Sequence, residues 1–103
     1  MASTQVSLSV NNRPIELNDF VRGYIDHVTS AILASLRGTA EMESIELAIE
    51  GDQVSIVLNH AAVPLNPFVS RIIRGTILGM VSALKGVSTI ERMQVNIKKD
   101  KEW

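Results

Sequence analysis

No cysteine occurs among the 103 residues, which excludes disulfides, thiolate metal sites, iron–sulfur clusters and cysteine nucleophiles. A chain without thiols suits a reducing compartment, so the cytoplasm is the default expectation. Charge of one sign is lacking as well. Ten basic residues face eleven acidic ones for a formal net charge of −1, so no whole-protein field draws the chain toward nucleic acid or anionic lipid. There is no apolar run of about 18 residues, and Met1–Gln5 has neither the basic start nor the apolar stretch of a secretion signal. The expectation is a soluble protein without a nucleic-acid or membrane partner.

Phosphate-binding glycine loops of the G-x-x-x-x-G-K-[ST] or G-x-G-x-x-G kind are also absent. Two histidines are present, His27 and His60, and they do not stand at ligand spacing from one another. Asp26, His27 and Ser30 lie close in the chain. On a helix, Ser30 can reach Asp26 or His27, whereas the adjacent Asp26 and His27 diverge by about 100°. No catalytic, cofactor-binding or metal-ligating residue is nominated on this basis, and no cofactor is expected.

What is present is a repeat. Shifting the sequence by 48 positions superposes residues 5–51 on 53–99 without a gap and gives 13 identities, where composition alone gives about three. Gln5-Val6-Ser7 returns as Gln53-Val54-Ser55, Leu17-Asn18 as Leu65-Asn66, and Phe20-Val21 as Phe68-Val69. A length of 103 residues fits one domain that removes roughly two-thirds of its unfolded surface from water. The repeat divides residues 1–103 into two halves rather than two domains.

Each half reads as strand, helix, strand. Val6, Leu8 and Val10 alternate with Ser7 and Ser9, the period of a strand with one buried face. Asn18 and Asn66 are helix N-caps, with Pro67 at the first helical position, where its missing N–H costs nothing. Gly38 and Gly86 supply the left-handed C-terminal conformation after Arg37 and Lys85. A second strand follows, with Ile45, Leu47 and Ile49 in one half and Met93, Val95 and Ile97 in the other. Gly51-Asp52 joins the halves by a hairpin. Residues 13–17 and 61–65 are left open as short extra strands, Pro64 counting against the second.

The resulting class is α+β, a two-layer sandwich of an antiparallel sheet with both helices on one face. The βαββαβ order resembles ferredoxin-like modules, among them small-molecule-sensing regulatory domains, though a fold does not carry a function. The open sheet face shows Ser7, Glu46, Ser55, Gln94 and Asn96, not the aromatic platform on which such folds stack RNA bases.

On the helices, Val21, Ile25, Val28, Ile32 and Leu36, and Val69, Ile73, Met80 and Leu84, are expected to cover the sheet. His27, Ala31 and Ser35 are expected to pack closely against Ala83, Gly79 and Gly75 of an antiparallel second helix. Ile77, Leu78 and Val81, with Leu33 and an ordered Trp103, are left as an apolar flank suited to contact between copies. The function expected is therefore a non-catalytic, self-associating module, most simply a homodimer. A small-ligand sensor is the alternative, with the loops at 11–17 and 59–65 as its polar contacts; an enzyme built on Asp26, His27 or His60 is the third.

Overall fold

Alternation of apolar and polar residues builds the sheet in the computed structural model, which describes residues 2–37, 43–84 and 89–101. The elements run β1 (Ala2–Val10), β2 (Arg13–Pro14), α1 (Asp19–Arg37), β3 (Ser44–Glu50), β4 (Gln53–Leu58), β5 (Ala61–Ala62), α2 (Pro67–Ser82) and β6 (Arg92–Lys101). All strand pairs are antiparallel. The fold is thus α+β, one six-stranded sheet with two helices.

The sheet order is β2-β1-β6-β3-β4-β5. β1 and β3 each run antiparallel to β6, which lies between them, so α1 joins parallel strands that share no hydrogen bond. α2 likewise joins β4 to β6 across β3. The second strands of the two halves hold the centre, whereas a ferredoxin-like sheet places the first strands there. The hairpins explain the difference. Each first strand carries its own small partner, β2 or β5, on its outer side, which commits that strand to the periphery.

Those hairpins turn on asparagine. Asn11 and Asn12 have φ of 52° and 66°, and Asn59 and His60 have 51° and 67°, the left-handed region that Asn enters most readily after glycine. The Asn11 Oδ1 then accepts from the Glu91 and Arg92 amides at 2.8 and 3.1 Å. Asn59 Oδ1 accepts from Glu43 and Ser44 at 2.7 and 3.0 Å. Each turn of one half thereby ties down the start of the second strand of the other half.

The helices begin where their caps set them. The Val21 amide donates to Asn18 Oδ1 at 2.8 Å and the Val69 amide to Asn66 Oδ1 at 2.7 Å. α2 ends at Ser82 with Ala83 as its cap, three residues short of the expected Lys85. Gly38, Lys85 and Gly86 lie outside the described residues, as does Trp103.

One core cluster lies between the layers. It takes Leu8 and Val10, Ile45, Leu47 and Ile49, Ile56 and Leu58, and Met93, Val95 and Ile97 from the strands. From the helices it takes Ile25, Leu33, Ile73, Ile77 and Val81. The expected helix stripes are therefore rotated: the most buried rows are Ile25-Thr29-Leu33 and Ile73-Ile77-Val81. Val28, Ile32, Met80 and Leu84 flank the core, and Leu36 is exposed. On α1 the hydroxyl of Thr29 makes the true row look polar in the sequence although its side chain is fully buried; on α2 Ile73, Ile77 and Val81 are one of several apolar rows that fit the helical period.

Candidate functional site

The groups with chemistry do not converge on one centre. Asp26 and Ser30 do meet, through a 3.2 Å hydrogen bond from Ser30 Oγ to Asp26 Oδ1. Lys99 joins them from β6, its Nζ 3.6 Å from Asp26 and 3.3 Å from Ser30. No sequence signal points to Lys99 here, because it comes from a strand 73 residues beyond Asp26. Ser30 donates to a carboxylate and accepts from an ammonium, so the three side chains satisfy one another. Their arrangement pins α1 to the end of β6. At the corresponding place in the second half, Arg74 Nε donates to the Gly51 carbonyl at 2.8 Å, with Asp52 3.8 Å from its guanidinium.

His27 is apart from this cluster, exposed on the outer side of α1. His60 sits in the β4–β5 turn and borders a shallow groove of about 680 Å³ on the open sheet face, beside Glu46, Asn96 and Lys98. A smaller groove of about 190 Å³ lies by Asn12, Glu50, Arg92 and Gln94. The sheet face is polar and mixed in charge, as expected. Among the described residues no three His, Asp or Glu side chains gather as metal ligands, and no helix is long and apolar enough to cross a membrane.

The apolar flank nominated for contact between copies is inside the protein. Leu33, Ile77 and Val81 are fully buried against the sheet, and Leu78 packs beside them, half-buried. The close helix–helix contact is not found either. His27, Ala31, Ser35, Gly75, Gly79 and Ala83 are all exposed, and a Cβ built on Gly75 or Gly79 meets nothing within 4 Å. With the buried rows centred on Thr29 and Ile77, these small residues turn to the outer surface of the helical layer.

That outer surface is the feature the sequence did not disclose. Among the described residues, the large apolar side chains left exposed are Phe20 (76%), Phe68 (66%), Ile72 (51%), Tyr24 (49%) and Leu36 (38%), all helical. Asn18 and Asn66 place Phe20 and Phe68 second in their helices, before the chain turns inward. From there one stripe runs down each helix at steps of four, three, four and four: Phe20, Tyr24, His27, Ala31, Ser35, and Phe68, Ile72, Gly75, Gly79, Ala83. Every member is exposed. Both stripes taper, large at the N-terminal end and small at the C-terminal end. The Phe20 and Tyr24 rings are 6.0 Å apart between centroids and inclined at 42°, a tilted pair within the range of aromatic contact. Among the described residues, Asp19 and Arg71 are exposed charged residues on the helices, and Arg22 folds back to the Leu17 carbonyl at 2.6 Å.

No family model, curated protein or solved structure matches the chain.

Proposed function

We propose that this protein is a non-catalytic module that acts by self-association, two copies docking through the outer surfaces of their helices. The taper of the two exposed stripes carries the reading. When helices of two copies cross antiparallel, the bulky end of each meets the small end of its partner. Phe20 and Tyr24 then fill the space above Ala31 and Ser35 or Gly79 and Ala83, and Phe68 and Ile72 do the same. A surface that is large at one end and small at the other is its own complement, which is what a closed twofold contact requires. Burying a phenylalanine is worth about 1.5–3 kcal/mol, and small residues let backbones approach.

Two tandem copies of one β-α-β unit, spaced by 48 residues, account for the matching stripes on both helices. With a net charge of −1, two copies repel one another little. Sedimentation analysis tests the proposal: the protein should self-associate, and Phe20→Asp with Phe68→Asp together should halve the number of chains in the assembly with an unchanged circular dichroism spectrum. A protein that stays monomeric at its highest soluble concentration would refute it.

The groove bordered by His60 supports a second reading, a small-ligand sensor, since its mixed Glu46, Asn96 and Lys98 lining suits a polar, zwitterionic molecule. Thermal shift on a set of such metabolites tests it: a rise in melting temperature lost in His60→Ala supports the sensor.

A further inference from the structure

The edges of a sheet carry unpaired N–H and C=O groups, and proteins blunt them with charge, proline, bulges or cover. The two edges here differ. On β4, β5 pairs with Val57 and Leu58, and the Val63 amide reaches the Ile56 carbonyl at 2.9 Å. The strand begins at the Gly51–Asp52 turn that Arg74 grips, so Val54 alone faces outward between cover and turn. β1 is covered only at Ser9 and Val10, with the Ile15 amide on the Leu8 carbonyl at 2.8 Å. Backbone groups alternate sides along a strand. The outward sense of Leu8 therefore recurs at Val6 and Thr4, while Gln5 and Ser7 direct theirs to β6.

From Ala2 to Leu8 this edge has no charge and no proline. Its pairing with β6 advances one residue at a time from Ala2↔Lys101 to Val10↔Met93, so it has no bulge. We infer that a second copy of this chain pairs there, β1 against β1 and antiparallel, joining two six-stranded sheets across a twofold axis. A copy of β1 matches the edge in length and in lack of charge. The short, gripped edge of β4 offers no equivalent strand, so edge pairing by itself joins two chains and does not run on from sheet to sheet. Lys98, opposite Gln5 on β6, would face its twin across three strand spacings, about 14 Å, beyond the ~8 Å screening length at physiological salt. The contact leaves the helical surface free and is independent of the proposed function.

Amide hydrogen exchange followed by NMR at rising protein concentration tests it. The expected result is that Thr4 and Val6 become protected as concentration rises, approaching Gln5 and Ser7, which β6 protects throughout. Thr4→Pro removes one outward N–H at an edge position that tolerates proline. It should leave Gln5 and Ser7 protected, return Val6 to fast exchange and weaken association about tenfold, from two lost symmetry-related hydrogen bonds. Thr4 and Val6 exchanging freely at every concentration, with Gln5 and Ser7 protected, would overturn the inference. Association through the helices alone gives that second pattern and leaves the proposed function standing.

Discussion

Replacing Thr29 with valine should make the protein more stable. Thr29 is fully buried, in the middle of the α1 row that faces the sheet, and its Oγ1 has no hydrogen-bond partner. A buried hydroxyl without a partner costs about 1–3 kcal/mol. Valine keeps the branched shape and a nearly equal helix propensity while removing that cost. The second half shows that the site accepts an apolar side chain, because Ile77 fills the corresponding place and is also fully buried. The expected gain is about 1–2 kcal/mol, and for a domain of this size each kcal/mol is worth roughly 4–8 °C in melting temperature. Urea unfolding followed by circular dichroism reads it directly, as a higher midpoint at an unchanged slope. Thr29→Ser is the control: it keeps the hydroxyl, removes a methyl group worth about 0.8 kcal/mol and opens space, so it should lose stability. A Thr29→Val protein less stable than its parent would refute the reasoning, since the hydroxyl would then have a partner in solution, with the α1 carbonyl one turn earlier the nearest kind of acceptor.

Three further substitutions probe other parts of the fold. Asn11→Ala should cost about 2–3 kcal/mol in chemical unfolding, from the lost bonds to Glu91 and Arg92 and the positive φ, and Asn11→Gly should recover about 1 kcal/mol of it. Asp26→Asn should lower the stability read from urea unfolding by about 1 kcal/mol through loss of the partly exposed Lys99 pair, and raising salt should shrink the difference between the two proteins. Gly79→Ala should stabilise the monomer by about 0.5–1 kcal/mol, because its Cβ meets nothing and the helix gains propensity. The same change should weaken association measured by sedimentation, since it fills part of the space left for the partner's aromatic side chains.

Much of the sheet was legible in the sequence because strands with one wet face announce themselves. Leu8 and Val10 against Ser7 and Ser9 gave β1, and Ile45, Leu47 and Ile49 against Glu46 and Glu50 gave β3. Asn18 and Asn66 fixed the helix starts because capping is local. Strand order was not legible, since nothing local says which strand of a half sits beside which strand of the other. The helix faces misled for a different reason. Both helices carry apolar residues around more than half their circumference, so several stripes fit the period, and on α1 the hydroxyl of Thr29 disguises the buried one. Every assignment that followed from the choice of stripe moved with it: Leu33, Ile77 and Val81 went to the core, and Gly75, Gly79 and Ala31 went outside. The Lys99 contact with Asp26 and Ser30 had no sequence signal at all, because it depends on β6 lying next to β1 and β3.

The position of β6 also bears on how the chain is made. β6 is the last strand to leave the ribosome, yet it is the one that joins β1 to β3. Until it arrives, the sheet exists as two unconnected pieces, β2-β1 and β3-β4-β5, and β1 lacks the strand that pairs along its whole length. Synthesis therefore cannot fold this domain strand by strand; β6 must emerge before the structure can close, and a chain released short of Arg92 has no sheet centre to assemble around. Pairing between the two ends of a sequence is slow to find, so the interval before closure is when an uncharged first strand is most in need of a chaperone.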